Sequence, residues 1–236
     1  MTSNLYLSRA RLRKNRGEAL SAIAPLLIPD DPKLQAGHAH RVLWLLFQDT
    51  SDAKRDFLWR DEGDGKYMLL SQRPPIDPLG LFELDTKPFE PSLQPGDNLS
   101  FSLRANPVLA RKSALTRVEH AQRKRGKRVD IVMDALKSVP PGKRAAVRDE
   151  ITSMMGTEWL TKQGLANGFT LLSAPVVDGY SQVPVERRRG AAAGFSVLNL
   201  TGKLQVNDPA AFLARLPQGF GSAKAFGNGL MLIRRA

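Results

Sequence analysis

The chain has 236 residues, 42% of them hydrophobic, which is enough for one large or two small folded domains and too much for a disordered chain. Lys and Arg number 35 against 23 acidic residues, a net charge of +12, and such self-repulsion in a folded protein suits a polyanionic partner, with nucleic acid first, an anionic membrane surface or no particular partner as the alternatives. The absence of Cys excludes disulfides, thiolate metal sites and a thiol nucleophile, while no apolar run is long enough to span a membrane and the polar, basic start MTSNLYLSRARLRKNRG has no secretory apolar core, so a cytoplasmic protein is expected.

In chain order, LYLSRARL (5–12) reads as a first strand. HRVLWLLF (40–47) reads as a helix, with His40, Leu43, Trp44 and Phe47 on one side by three-and-four spacing. DFLWRDEGDGKYMLLSQ (56–72) reads as two strands joined by an Asp/Gly turn. Pro74, Pro75 and Pro78 allow only a short helix next, and LFELDTKPFE (81–90) supplies a fourth strand. PGD at 95–97 is the expected linker between a domain at 1–96 and another at 97–236.

The second half starts the same way. LSFSLRAN (99–106) alternates, with Leu99, Phe101, Leu103 and Ala105 on one face and Ser100, Ser102 and Arg104 on the other. A helical region is expected from about 130 to 163, interrupted at Pro140, Pro141 and Gly142. FTLLSAPVV (169–177) and FSVLNLTGKLQV (195–206) read as strands flanking a hairpin tip. Asp208 is the expected cap of a helix that begins at Pro209 and points Phe212, Leu213 and Leu216 inward. Pro217 ends it, a glycine-rich loop follows, and a buried strand through Leu230–Ile233 closes the chain. Each half thus approximates strand, helix, strand, strand, helix, strand. The fold class read from this order is α+β, with two tandem ferredoxin-like units of the kind that also underlies RNA-recognition motifs.

The charge is concentrated. From Arg104 to Arg128 there are nine basic residues, Arg111 and Lys112 among them, and one acid, Glu119. That segment reads either as a solvated linker or as an arm that tracks phosphates. A second cluster, Arg187, Arg188 and Arg189, falls at the hairpin tip, a shape that suits the groove of a folded RNA and that solvent also tolerates.

Few groups can do chemistry. The three histidines are His38, His40 and His120, and the acids form no two-metal cluster, so no metal or cofactor is expected. His40 reads either as a packed histidine at the core edge or as a general base. In the second case the positive end of the helix dipole would hold its imidazole neutral, able to take a proton from a ribose 2′-hydroxyl. His120 lies in the basic arm.

Four blocks in order carry a family resemblance: LYLSRARL, HRVLWLLF followed by RDFLWR (55–60), FSLRANP (101–107), and NDPAAFLARLPQGFGSAKAFGNGL with its GxGxxKxxGxG pattern. With these the chain resembles the CasE family of CRISPR repeat endoribonucleases, the RNA-processing subunit of the type I-E Cascade complex, over nearly its whole length. The resemblance implies two ferredoxin-like domains and metal-independent cleavage of precursor CRISPR RNA beside the repeat hairpin, leaving a 2′,3′-cyclic phosphate and a 5′-hydroxyl. It implies retention of the product within Cascade, with the free protein a monomer. The family's catalytic histidine falls on His40, and its glycine-rich loop on Gly219, Gly221, Lys224, Gly227 and Gly229. The family's tyrosine three residues before the histidine is absent; Gly37 stands there. The alternative is a non-catalytic hairpin-RNA-binding protein of the same double fold, in which His40 is structural.

Overall fold

A computed structural model describes residues 4–13, 32–48, 55–111, 127–185 and 193–236. The first half forms a four-stranded antiparallel sheet. Its strands are β1 (Tyr6–Leu12), β2 (Phe57–Gly63), β3 (Lys66–Ser71) and β4 (Phe82–Pro88), in the spatial order β2-β3-β1-β4. Asp64 and Gly65, both at positive φ (52° and 70°), make the tight β2–β3 turn, a geometry whose twist matches paired strands. Helix α1 (Pro32–Trp44) runs into a 3-10 turn, Leu45–Phe47, and covers one face of the sheet. Val42, Leu43, Leu46 and Phe47 bury against Ala10, Trp59, Tyr67, Leu69 and Phe82.

The second half repeats the plan. Strands β5 (Asn98–Ala105), β8 (Phe169–Leu171), β10 (Ala193–Val206) and β11 (Met231–Arg235) have the order β11-β5-β10-β8, and β9 (Val176–Val185) pairs with the front of β10. Helices α2 (Ile131–Leu136), α3 (Arg144–Ala166) and α4 (Pro209–Arg215) complete the unit. In both sheets the first strand of the half lies between the last and the third, the ferredoxin-like arrangement, and the fold is a tandem pair of them. The alternation expected in β5 is present: Leu99, Phe101, Leu103 and Ala105 are all buried. Asp208 accepts from the Ala211 N–H at 3.0 Å and Pro209 opens α4, as the sequence signals require.

Several expectations change. Helix α1 begins at Pro32 rather than at residue 40, so His40 sits in its third turn, away from the positive end. The second helix of the first half is absent: residues 72–81 are turns and irregular backbone, broken by Pro74, Pro75 and Pro78. The stretch 169–177 is two strands, because the segment before Pro175 turns the chain out of β8 and into β9. The foot of the basic arm is a two-stranded ribbon, β6 (Val108–Arg111) with β7 (Lys127–Asp130). The PGD segment is tied down, with the Gly96 N–H on the Val206 carbonyl at 2.7 Å and the Val206 N–H on the Asp97 carbonyl at 2.9 Å.

The halves share a core. Residues Phe57–Trp59 are all buried although a strand alternates sides. Phe57 and Trp59 face α1, whereas Leu58, with Leu70 of β3, belongs to the cluster that contains Phe101, Leu103, Phe220 and Leu230 of the second half. Leu58→Ala should therefore cost about 2–5 kcal/mol, the usual range for a buried Leu. Urea unfolding followed by tryptophan fluorescence is expected to show one cooperative transition at a lower midpoint. Separate transitions for the two halves would contradict the shared core.

Candidate active site at the domain seam

Where β2 meets the C-terminal loop, a seam runs between the two halves. The turn Lys224–Phe226 packs against both α1 and β2, and strand β9 also reaches α1. His40 faces this seam within an aromatic cluster. Its ring lies 6.1 Å from Trp44, edge-on, and 6.2 Å from Phe57, which stacks on Phe47 at 4.4 Å. The Trp44 indole N–H donates to His40 Nε2 at 3.0 Å, and among the described residues the buried Nδ1 has no partner. Burial, and secondly the Arg55 guanidinium, hold the imidazole below its ordinary value of 6.5. The neutral ring expected from the sequence is thus present for a different reason. The dipole effect fades within the first turn, and His40 lies beyond it.

The C-terminal loop supplies the opposite wall. Gly219, Gly221, Gly227 and Gly229 all have positive φ. Two of them face β2 so closely that a Cβ could not be added: at Gly219 it would sit 2.8 Å from Leu58, and at Gly227 2.9 Å from the Trp59 ring. At Gly221 and Gly229 it would meet the carbonyl oxygens of Asn106 and Phe220, at 2.6 and 2.8 Å. The loop's amides are also used within the protein: Phe220 N–H to Gly229, Ser222 N–H to Asn106 and Gly229 N–H to Arg104, at 2.9, 2.9 and 2.7 Å. The glycines are first a requirement of packing between the halves.

Lys224 projects from this loop and donates to the Gln218 carbonyl. Burial lowers its pKa most, followed by the neighbouring cations Arg215, Arg55 and Arg128. Arg128 reaches the Ser222 hydroxyl at 3.3 Å, and Arg215 lies over the Phe220 ring, 5.3 Å from its centroid. Lys224 thus lies among three other cations, and one of them, Arg55, also acts on the His40 imidazole. Such an arrangement binds an anion and offers a base to a group attached to it.

The sequence-predicted residues are distributed unevenly over this site. Lys224 and Arg128 come together, and Arg55 acts on both Lys224 and His40. Arg104 lies on no arm; it is half-buried in the seam, its pKa lowered by burial, raised back by Asp61 and lowered again by Arg60. Arg111 ends β6, and only its backbone is described. Lys112, His120, Arg187, Arg188 and Arg189 lie outside the described residues, although the strands leading to the arginine tip pair through Val185 and Ala193. Arg55 and Arg215 escaped the sequence reading. Arg55 stands in the charged run Lys54–Asp56 and Arg215 is a lone cation at the end of an apolar helix, and only the tertiary fold carries either to Lys224. At Gly37 an added Cβ would meet no atom within 4 Å. Among the described residues no three His, Asp or Glu side chains are grouped as metal ligands.

The sequence and the fold are similar to those of known proteins. Residues 5–235 match the family model of CRISPR associated proteins. The CRISPR-associated endoribonuclease Cse3 of Thermus thermophilus is 35% identical over 157 residues, a match that spans 62% of this chain and 60% of that protein. The Cascade subunit CasE of Escherichia coli K12 is 29% identical over 203 residues, 81% of this chain and 88% of that one. The fold superposes on the structure of Cse3 bound to a 19-nucleotide RNA with a TM-score of 0.68 and 24% identity, covering 99% of this chain and 100% of that one.

The lowered His40 pKa has a stability consequence. As pH falls below 6.5, the unfolded chain takes up the imidazole proton before the folded one does, so stability is lost from there down to the folded value. Between pH 7 and 5 the wild-type protein should lose more stability than His40→Gln does, measured by urea midpoints at each pH. Equal losses would show that His40 titrates normally in the fold.

Proposed function

This chain belongs to the family of CRISPR associated proteins, and we propose that it is a metal-independent endoribonuclease that cuts precursor CRISPR RNA beside the repeat hairpin. The observation that carries the reading is the half-buried imidazole of His40, its pKa lowered by burial and by Arg55, the same cation that acts on Lys224. In the reaction, His40 accepts the proton of the ribose 2′-hydroxyl. The 2′-oxygen bonds to the adjacent phosphorus, the bond from phosphorus to the 5′-oxygen breaks, and that oxygen takes a proton from water. The products are a 2′,3′-cyclic phosphate and a 5′-hydroxyl. Lys224 and Arg55 offset the charge that grows on the phosphoryl oxygens, work that a metal does in other nucleases.

The basic elements hold the substrate. Arg128 leads from the seam into the arm that includes Arg111 and Lys112, which follows the phosphates of the stem. Arg187, Arg188 and Arg189 grip the same stem from the hairpin tip. Arg104 and the loop shaped by Gly219, Gly221, Gly227 and Gly229, which presents Lys224, support the strand at the cleavage point. Residues 1–96 carry the base and residues 97–236 carry the grip. The protein acts in the cytoplasm without a cofactor, is monomeric alone, and stays on the mature RNA as a Cascade subunit. The matches to Cse3 and CasE support this reading, as does the absence from described residues of any helix long and apolar enough to cross a membrane.

Two experiments test it. With a hairpin RNA transcribed from the CRISPR repeat next to its gene, the protein should cut in EDTA at the rate seen in magnesium. His40→Ala should lose at least the roughly 10²–10⁴-fold that general base catalysis supplies, with hairpin affinity kept within a few-fold. Binding without cutting by the wild-type protein would favour a non-catalytic RNA-binding role.

Replacing Arg187, Arg188 and Arg189 together by Ala should weaken hairpin binding and flatten its salt dependence by about 0.7–0.9 in log–log slope for each phosphate no longer held. Cutting at saturating protein should persist. Unchanged affinity and slope would remove the tip from the interface.

A further inference from the structure

We propose that Trp44 is a positioning residue that decides which nitrogen of His40 is the base. The proposal rests on the nuclease reading above for its consequence, and on geometry alone for its content. The indole Nε1–H donates to His40 Nε2 at 3.0 Å. An indole nitrogen can only donate, so Nε2 must present its lone pair, and the one proton of the neutral ring resides on Nδ1. The two residues are four apart on α1, where side chains stack along one face. Phe57 completes the clamp, with its ring 5.3 Å from Trp44 and 6.2 Å from His40.

Without this donor the other tautomer would compete. Among the described residues nothing accepts from Nδ1, which is buried. A proton there is an unsatisfied donor, a placement that costs free energy unless the other nitrogen gains a bond in return. Trp44 provides that bond. The Nε2 lone pair is thus the one kept available, and a ribose O–H is received there once the Trp44 N–H gives way to it.

The hydrogen bond also disfavours protonation of Nε2, because an imidazolium has no lone pair to offer there. The charged and titratable groups around the ring act alongside it. On the sheet and the elements packed against α1 the titratable groups include Arg55 and Asp56 ahead of β2, Tyr67, Lys224 on the turn, and Asp178 and Tyr180 on β9; on α1 itself they include His38 and Arg41. Asp56 is occupied by Arg73 at 2.7 Å and Tyr180 by Asp130 at 3.1 Å, and Arg55 is the cation that acts on His40.

The test is nitrogen NMR of the full chain labelled with ¹⁵N-histidine, without RNA, titrated from pH 8 to 5, for wild type and Trp44→Phe. Phenylalanine keeps the aromatic ring and removes the N–H. In the wild type, His40 should show a protonated Nδ1 and a bare Nε2. In Trp44→Phe the His40 midpoint should move to higher pH, and the acid limb of kcat/KM on the repeat RNA should move with it. A wild-type His40 with its proton on Nε2 overturns the proposal whether or not the variant folds. So does an unchanged midpoint in a folded variant. An Nδ1-protonated His40 and a shifted midpoint in a protein that cuts no RNA would keep the role of Trp44 and sink the nuclease reading. Cutting by a protein whose His40 carries its proton on Nε2 would do the reverse.

Discussion

The structure depends on one close approach: the C-terminal glycine loop lies directly on strand β2, with no room for a Cβ at Gly219 or Gly227. Strand β2 serves both halves. Phe57 and Trp59 belong to the first core, and Leu58 to the second. Setting the loop on this strand therefore seats the second half directly against the first. Interiors packed to this density transmit such constraints rather than absorb them. Arg55 leads into the same strand, and Lys224 rises from the same loop, so the distance of these cations from His40 is a consequence of core packing.

Electrostatics then follow from burial. A desolvated imidazole stays neutral at a pH where an exposed one is partly charged, and desolvation likewise lowers the pKa of Lys224. Arg215, Arg55 and Arg128 press on Lys224 in the same direction. In the free protein these like charges repel one another, and an anion seated among them relieves the repulsion. The seam is thus tuned toward a phosphate on one side and a proton acceptor on the other. Ala223, at φ 53° in the centre of the loop, and Asn228, wholly buried and donating to the carbonyls of Ala223 and Phe226, hold the turn that presents Lys224.

Much of this was legible in the sequence, and the remainder has physical reasons for being hidden. The alternation of LSFSLRAN, the Asp208–Pro209 helix start and the glycine loop are local signals, each satisfied by neighbours in the chain. The ferredoxin-like order of both halves followed from them. The start of α1 was missed because PKLQAGHA offers no apolar period; its helix is held by the residues that follow. The missing helix at 72–81 was nearly legible in its prolines. The split of 169–177 depends on a turn that an apolar run conceals. At the site, the spacing of His40 and Trp44 showed that they share a face but not that they share a hydrogen bond. Arg55 and Arg215 could not be found at all, since what makes them site residues is a contact across the fold. The helix-dipole account of His40 arrived at the right protonation state by the wrong cause.

The central claim is that burial at the seam keeps His40 a neutral base. The most direct measurement is kcat/KM of the wild-type protein on the repeat RNA as a function of pH, which reports the group in the RNA-free protein. The account predicts that kcat/KM holds as pH falls through the ordinary imidazole value of 6.5 and declines only below it. A decline centred at or above 6.5 would contradict it.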